Sequence, residues 1–341
     1  MLNRIYRLIE ARTIEPVERY AAIDADTVVV RPTHLSICNA DQRYYQGKRS
    51  ARVMAKKLPM ALIHEGVGEV VFDAAGAYAP GTRVVMLPNN PVEEDEFIAE
   101  NYLRTSKFAG SGYDGFMQEL CILPSRRVLP LPEGIDIHVA AFTELVSVAV
   151  HAVTRFEGIA HGRRENIGIW GDGNLGFIVS LILHVTHPDA RLHVIGRNSY
   201  KLADFTFAHR TYLSSGIPEG LLVDHAFECC GGEGSTSAID QIIDHIRPEG
   251  TVSLMGVSEY PVPINTRMVL EKGLRMFGSS RSGRVDFERT LQLHREHPEM
   301  AQYLSALVGS VIPVSSVKDI ATAFDADVRK QMGKTIMEWN M

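Results

Sequence analysis

A glycine-rich turn between a short apolar strand and an apolar helix constrains the fold of this chain most. Asn166 to Trp170 predicts a buried strand, and the turn Gly171-Asp172-Gly173-Asn174-Leu175-Gly176 follows at once. The run from Phe177 to Val185 predicts a helix, and a second strand, Leu192 to Ile195, ends at Gly196-Arg197. Strand, glycine turn, helix and strand within about thirty residues form the pattern of a dinucleotide-binding unit in a parallel sheet.

Three glycines suit this turn to a dinucleotide. Gly171 permits the sharp bend, Gly173 lets the backbone approach a pyrophosphate, and Gly176 lets the helix lie close to the sheet. Asn174 and Leu175 begin the helix, whose N-terminus offers free N–H groups and partial positive charge to phosphates. An ordinary strand-to-helix turn is the alternative, but both flanking elements are present, so we predict cofactor binding at these positions.

The end of the second strand distinguishes between the nicotinamide cofactors. A site for NAD has Asp or Glu there to hold the ribose hydroxyls, but this chain has Gly196, followed by Arg197 and Lys201. The loss of a carboxylate and the gain of cations suit the 2′-phosphate of NADP(H). We predict NADPH as the cofactor, with Arg197 as the first phosphate contact and Lys201 as the second, although a solvated loop could have the same composition.

Composition excludes several classes of protein. The 341 residues suffice for two domains, and the net charge of −6 includes no basic block, so no nucleic-acid partner is expected. Charges interrupt the first ten residues and no apolar run is long enough for a membrane span, so we expect a cytoplasmic protein with no membrane partner. The cysteines, Cys38, Cys121, Cys229 and Cys230, show no disulfide spacing, and the last two fall in a predicted buried strand.

The order of the predicted elements indicates two domains. The first part is β-rich, with strand patterns at Thr27–Pro32, Gly66–Phe72 and Gly81–Pro88. Later strands alternate with helices, as in a parallel sheet, and a final strand, Gly333 to Trp339, would rejoin the first domain. We predict a β-rich domain of residues 1–146 and 284–341 and a nucleotide-binding domain of residues 147–283.

Three residues far apart in sequence could bind one metal ion. Cys38, His64 and Glu144 carry the thiol, imidazole and carboxyl groups that zinc accepts as ligands. Taken singly, each has an ordinary explanation, as a small buried thiol, a core histidine and a charge on a helix surface. Glu144 is unusual because it lies in the apolar run Ala140 to Val146, where a carboxylate requires a partner.

The motifs around these residues resemble those of the zinc-dependent medium-chain dehydrogenase/reductase family. The first-ligand motif of the family resembles Ser36-Ile37-Cys38-Asn39-Ala40-Asp41. Its histidine–glutamate–glycine motif resembles His64-Glu65-Gly66-Val67-Gly68-Glu69-Val70. The third-ligand region of polyol dehydrogenases resembles Phe142-Thr143-Glu144-Leu145. The glycine turn follows in the family's order, so the resemblance covers nearly the whole chain. It implies an α/β fold with a doubly wound parallel Rossmann sheet and a β-rich GroES-like catalytic domain.

The resemblance also implies roles for single residues. Cys38, His64 and Glu144 would bind one catalytic zinc ion, Glu65 would be a neighbour or alternate ligand, and Asp41 would orient His64. Three protein ligands leave the fourth position of a catalytic zinc open. Many members hold a second, structural zinc with four cysteines in a lobe that here spans Asn89 to Gly112, where this chain has no cysteine. We therefore predict no structural zinc.

Two departures from the family pattern concern proton transfer and substrate. Where members have Ser or Thr this chain has Ala40, and where they commonly have a relay His it has Arg43. Tyr44, Glu65 or metal-bound water would then have to transfer the proton. Arg43 could hold a substrate phosphate bidentately, although it could equally be a surface arginine. The weaker phosphate candidates are Arg281 and Lys48.

Four segments resemble the ribulose-5-phosphate reductases, an NADPH-dependent branch of this family. They are Ala40–Tyr45, Leu58–Glu65, Gly168–Gly176 and Gly278–Gly283. The resemblance implies reduction of D-ribulose 5-phosphate to D-ribitol 5-phosphate for CDP-ribitol, a precursor of teichoic acid or capsule, with a ribitol-5-phosphate cytidylyltransferase as functional partner. It also implies a homodimer or homotetramer, in which the strand Leu274 to Phe277 could pair across a two-fold axis.

Three other functions fit parts of the pattern. A zinc polyol dehydrogenase would act on an unphosphorylated sugar alcohol. A non-catalytic NADP(H)-binding regulator would bind NADPH but consume none with any ketose phosphate. A zinc-free relative of the quinone reductases would contain no stoichiometric metal.

Overall fold

Eighteen strands and eleven α-helices make up the chain, and a computed structural model describes all 341 residues. The strands are β1 (Leu2–Glu10), β2 (Thr13–Tyr20), β3 (Thr27–Ser36), β4 (Met60–Ala61), β5 (Glu65–Asp73), β6 (Arg83–Met86), β7 (Asn89–Asn90), β8 (Lys107–Phe108), β9 (Cys121–Pro124), β10 (Val128–Pro130), β11 (Asn166–Trp170), β12 (Arg191–Gly196), β13 (Arg210–Leu213), β14 (Val223–Glu228), β15 (Ile246–Leu254), β16 (Arg275–Gly278), β17 (Val308–Val314) and β18 (Lys334–Trp339). The helices are α1 (Asn39–Tyr45), α2 (Ala51–Lys57), α3 (Ile137–Ala140), α4 (Thr143–Ile159), α5 (Asn174–Thr186), α6 (Ser199–Leu202), α7 (Gly234–His245), α8 (Thr266–Lys272), α9 (Arg284–Glu296), α10 (Glu299–Ser305) and α11 (Val317–Arg329).

None of these helices has both the length and the apolar character needed to cross a lipid bilayer. The chain divides into two units, Met1–Glu144 with Ser282–Met341, and Leu145–Arg281.

The unit Leu145–Arg281 contains a six-stranded parallel sheet. Its strand order is β13-β12-β11-β14-β15-β16, which is the 3-2-1-4-5-6 order of doubly wound dinucleotide-binding sheets. This order confirms the predicted α/β class. We did not predict the edge strand β13, because its four residues are half-buried or exposed and lack the apolar run of a buried parallel strand.

The prediction that Cys229 and Cys230 lie inside a buried strand was wrong. β14 ends at Glu228, whose carboxylate accepts hydrogen bonds from the backbone N–H groups of Cys230 and Gly231 at 2.9 and 3.1 Å. These bonds turn the chain out of the sheet, where Gly231 takes a left-handed φ of 70°. Cys230 is consequently exposed, and all the cysteines are free thiols.

The unit Met1–Glu144 with Ser282–Met341 is β-rich and contains three sheets. The largest has the order β10-β6-β5-β3-β18-β17, with β9 also paired to β3, and the smaller ones are β2-β1-β4 and β7-β8. The last strand, β18, lies antiparallel to β3, so the end of the chain rejoins the first part as the sequence predicted. Three distant segments of sequence therefore meet in one sheet at β5, β3 and β18.

β3 runs past the proline at which we predicted its end. The strand continues through Pro32 to Ser36, and a register shift between Pro32 and His34 accommodates a residue that cannot donate a hydrogen bond. The extension is important for the site because it brings the chain directly to Cys38.

The helix predicted from Asp136 through Phe156 is interrupted. Asp136 caps the short helix α3 by accepting hydrogen bonds from the backbone N–H groups of His138 and Val139 at 2.8 and 3.1 Å. A second helix, α4, begins at Thr143. Glu144 consequently lies in a first helical turn, where a carboxylate is stabilised by the helix dipole.

A buried histidine makes stability depend on pH. His225 in β14 is fully buried, its Nδ1 accepts a hydrogen bond from the N–H of Thr251 at 3.1 Å, and its Nε2 lies 3.2 Å from the carbonyl oxygen of His161. Burial, with the charge of His161, lowers the pKa of His225 to about 4. The folded chain therefore keeps this ring neutral.

We expect acid to weaken the fold through His225. Its unfolded pKa is about 6.5, so stability is complete above that pH and is lost as the pH falls toward the folded pKa of about 4. At pH 5 the loss should be about 2 kcal/mol of unfolding free energy. Urea unfolding between pH 7 and 4.5 should show a flatter profile for His225→Gln, whereas the His297→Gln control, at a side chain that is 30% exposed, should follow the parent. Identical profiles for His225→Gln and the parent would contradict this account.

Candidate active site

Three side chains with metal-ligating atoms come together near the end of β3 and the start of β5. One donor atom each from Cys38, His64 and Glu65 lies within 4.8 Å of the other two. Cys38 follows β3, and Glu65 opens β5, where it pairs directly with Ser36. The antiparallel pairing of these strands therefore brings together the two motifs that the sequence separates.

Asp41 connects the two segments that carry these donors. Its buried carboxylate accepts hydrogen bonds from the backbone N–H of Cys38 at 3.1 Å, through Oδ2, and from that of Ile63 at 3.0 Å, through Oδ1. Oδ1 also lies 3.5 Å from Nδ1 of His64, which leaves Nε2 of His64 free of Asp41. This is the arrangement of a residue that orients a metal ligand.

The residue before His64 is held in a strained conformation. Ile63 has a φ of 71°, which a β-branched residue rarely adopts. Its N–H donates to Asp41, and its carbonyl oxygen accepts a hydrogen bond from the N–H of Phe116 at 2.7 Å. These two hydrogen bonds hold Ile63 in its strained conformation. Strained residues of this kind, next to a candidate ligand, are common at functional sites.

Lys334 is a site residue that sequence reasoning missed. Its side chain is 2% exposed, and its Nζ donates to Oε1 of Glu65 at 2.8 Å, while the Ser36 hydroxyl donates to Oε2 at 2.8 Å. Burial lowers the pKa of Lys334, but the charges of Glu65 and Cys38 outweigh burial and raise it, so the lysine stays a cation. A lysine at the start of β18, shortly before the apolar pair Ile336 and Met337, was the signal that could have identified it.

Glu144 is buried among the same charged groups. Burial raises the pKa of Glu144 to about 7, the charges of His64 and Lys334 oppose this rise, and those of Glu65 and Asp41 add to it. The side chain is thus a carboxyl group whose ionised form needs a nearby cation.

The donor set fits a zinc ion. Thiolate, imidazole and carboxylate are zinc ligands, whereas calcium and magnesium sites use oxygen. Burial lowers the pKa of His64, but Asp41 and Cys38 outweigh it and raise this pKa well above its ordinary value. Zinc binds neutral imidazole and ionised carboxylate, so its binding would release any proton that these groups carry.

Two further predicted site residues lie on α1. Arg43 is half-buried, and Tyr44 is buried in the apolar core of its unit. The guanidinium of Arg49 and the ammonium of Lys57 lie 5.1 and 5.6 Å from the centroid of the Tyr44 ring. Sequence reasoning did not identify these two cations beside α1.

The glycine turn has the geometry that a dinucleotide requires. Gly171 has a φ of 139°, and a Cβ on Gly176 would lie 2.0 Å from the carbonyl oxygen of Gly171, so no side chain fits there. A Cβ on Gly173 would meet nothing within 4 Å. The first turn of α5, at Asn174 and Leu175, is therefore preceded by backbone that a phosphate can approach.

An aspartate in this turn organises the loop after β12. Oδ2 of Asp172 accepts hydrogen bonds from the backbone N–H groups of Arg197 and Asn198, both at 2.7 Å. A Cβ on Gly196 would lie 2.5 Å from Cβ of Asp172. Arg197 is exposed and Lys201 is half-buried. Asp172 and Asn198 were not among the predicted site residues, because their pairing depends on the contact between two strand ends.

Two family models match the chain. The alcohol dehydrogenase GroES-like domain matches residues 24–133, and the zinc-binding dehydrogenase model matches residues 215–296. Together they confirm the GroES-like and nucleotide-binding parts of the predicted fold.

Relatives of full length are also similar. The chain is 55% identical to the ribulose-5-phosphate reductase of Bacillus spizizenii and 49% identical to ribulose-5-phosphate reductase 1 of Staphylococcus aureus, over 100% of both chains in each case. Among solved structures, S. aureus TarJ in complex with NADPH matches with a TM-score of 0.90 and 45% identity over 100% of both chains. Because coverage is complete, the aligned region spans the segments that carry the donor cluster and the glycine turn.

Proposed function

The chain belongs to the zinc-dependent medium-chain dehydrogenase/reductase family, and from this premise we propose that it reduces D-ribulose 5-phosphate to D-ribitol 5-phosphate with NADPH. The observation that carries the proposal is the 55% identity, over the full length, to a ribulose-5-phosphate reductase. The product would supply CDP-ribitol for teichoic acid or capsule, with a ribitol-5-phosphate cytidylyltransferase as functional partner.

The metal of this proposal is one zinc ion held by Cys38, His64 and Glu144. Glu65 stays beside it as a neighbour, because both its carboxylate oxygens already accept hydrogen bonds. When bound, zinc supplies a Lewis acid that polarises the ketone at C2. In this arrangement the negative charges of Cys38 and Glu144 would balance the divalent charge of the zinc ion. The remaining carboxylate, that of Glu65, is balanced by its ion pair with Lys334.

The proton for the C2 oxygen has a restricted set of sources. Ala40 has no hydroxyl, and both carboxylate oxygens of Glu65 already accept hydrogen bonds, from Ser36 and Lys334. Tyr44 lies in the apolar core. These positions favour solvent within the pocket over Tyr44 or Glu65 as the proton source.

A substrate comparison tests the function. Zinc-loaded protein should consume NADPH with D-ribulose 5-phosphate, and kcat/KM should be about a hundredfold higher than with D-ribulose, since a charged phosphate contact contributes about 3 kcal/mol. A chelator should abolish the rate and added zinc should restore it. Equal rates on ribitol and ribitol 5-phosphate in the reverse direction would instead identify a polyol dehydrogenase, and NADPH binding without consumption would identify a regulator.

Arg43 is our candidate for the substrate phosphate. Arg43→Ala should raise KM for ribulose 5-phosphate about tenfold, because a charge-assisted pair is lost. Arg52→Ala, which removes an exposed arginine of α2, is the matched control and should leave KM unchanged. A KM for Arg43→Ala within about threefold of the parent would remove Arg43 from the phosphate site.

Arg197 is our candidate for the 2′-phosphate of NADPH, with Lys201 beside it. Arg197→Ala should raise KM for NADPH at least about tenfold and leave KM for NADH unchanged, since NADH lacks this phosphate. Arg210→Ala removes an exposed arginine of the same unit and serves as the control. A parallel rise for both cofactors would show a general effect on binding instead of phosphate recognition.

We also propose that the chain forms a homodimer or homotetramer. The strand β16 lies at the edge of the parallel sheet, and Leu270 in the preceding helix is 80% exposed. An open strand edge with nearby apolar surface favours pairing with a second copy. Sedimentation equilibrium measures the state directly, and a monomer at micromolar concentration would refute the proposal.

A further inference from the structure

A second group of side chains with metal-ligating atoms shares no residue with the cysteine-containing cluster. His34 in β3 and Glu338 in β18 are directly opposite each other in the antiparallel pair, and His138 lies in α3. One donor atom from each lies within 4.8 Å of the other two, and all three residues are half-buried. The rings of the two histidines are 5.2 Å apart in an edge-to-face arrangement.

The Nδ1 atom of each imidazole in this group faces a polar neighbour, at hydrogen-bond distance in His34 and just beyond it in His138. Nδ1 of His138 lies 3.6 Å from Oδ1 of Asp136, and Nδ1 of His34 lies 3.1 Å from the hydroxyl of Thr33. Metal-binding histidines almost always have such a partner on the second nitrogen, which fixes the tautomer and the ring orientation.

The remaining nitrogen of His138 lacks a hydrogen-bond partner. Its Nε2 is a buried atom with no hydrogen bond, and it lies 3.6 Å from Oε1 of Glu338. Two ligands bound to one tetrahedral zinc ion at about 2.1 Å are separated by about 3.4 Å, so this pair is already near the spacing that an ion imposes. A buried polar atom without a partner is uncommon, and a cation would satisfy it.

We propose that His34, His138 and Glu338 form a second divalent-metal site, which takes Zn²⁺ or another cation that prefers imidazole, such as Ni²⁺ or Co²⁺. The ion ties β3, β18 and α3 together. The site is independent of the proposed reaction and uses none of its residues. It also lies outside the cysteine-free lobe, so the expectation of no four-cysteine zinc there is unaffected.

Zinc uptake tests this site in untagged protein from which metal has been removed. After equilibration with Zn²⁺ and gel filtration, the parent should retain one more zinc per chain than His138→Asn or Glu338→Gln, measured by elemental analysis. His297→Ala is the matched control, since its side chain is also 30% exposed beside a glutamate but has no third donor. Equal zinc content in the parent and both site variants would overturn the proposal.

A second measurement isolates the site from the cysteine cluster. In a Cys38→Ser background, Zn²⁺ should raise the melting temperature, because a ligand that binds only the folded chain stabilises it. His138→Asn or Glu338→Gln in that background should abolish the shift, and Asp136→Asn, which keeps the helix cap, should weaken zinc binding about tenfold or more. A shift that persists unchanged in both ligand variants would also overturn the proposal.

Discussion

Cys38→Ser should lower kcat for ribulose 5-phosphate at least about a thousandfold. The replaced thiol lies in the donor cluster with His64 and Glu65, and a Lewis acid contributes several kcal/mol to the stabilisation of a developing alkoxide. A loss of about 4 kcal/mol corresponds to three orders of magnitude in rate. We expect NADPH consumption to fall accordingly and elemental analysis to find one zinc fewer per chain.

The control for this experiment is a different thiol of the same unit. Cys121→Ala removes a fully buried cysteine outside the cluster, and its rate should stay within about threefold of the parent. If Cys38→Ser kept a tenth or more of the parent rate with an unchanged zinc content, Cys38 would not be a ligand. NADPH affinity should be equal in all three proteins, which shows that the nucleotide-binding unit is intact.

Lys334→Met should destabilise the folded protein by about 3–5 kcal/mol, the cost of leaving one partner of a buried ion pair without its counter-charge. Lys334 is 2% exposed and Glu65 is 0% exposed, so neither side chain can recover hydration in place. Urea unfolding of the metal-free proteins measures this effect without a contribution from zinc affinity.

A double variant distinguishes loss of charge balance from loss of packing. Lys334→Met with Glu65→Gln removes both charges, so it should recover more than half of the stability lost by Lys334→Met alone. Lys318→Met, at an exposed position of α11, should change stability by less than about 0.5 kcal/mol. Strictly additive losses in the double variant would mean that the two side chains do not interact.

Much of the fold could be predicted because its signals are local. The turn from Gly171 to Gly176 shows the conformations that its sequence implied, since Gly171 and Gly176 each lie against nearby backbone that leaves no room for a side chain. The final strand was also recognisable from its own residues. The end of β14 was not, because it depends on the carboxylate of Glu228 accepting hydrogen bonds from the next loop.

The residues of the candidate site divide in the same way, into those with local sequence signals and those whose contacts join distant segments. Cys38, His64 and Asp41 stand in recognisable motifs, and the structure brings their segments together through the carboxylate of Asp41. Lys334 could not be placed from the sequence, because its contact with Glu65 depends on the register of β18 against β3 and of β3 against β5. Such contacts between remote strands have no signature within a window of sequence.

The tight packing of Gly196 against Asp172 limits how this protein could change its coenzyme preference. Introducing an acidic residue at position 196 would push a methylene group to within 2.5 Å of Cβ of Asp172, so that substitution alone should disorder the loop before it could attract NADH. An evolutionary or engineered path would first have to shorten residue 172 and find new anchors for the two amides that it now holds. A change of preference from NADPH to NADH therefore requires several coordinated substitutions. A single substitution at position 196 does not achieve it.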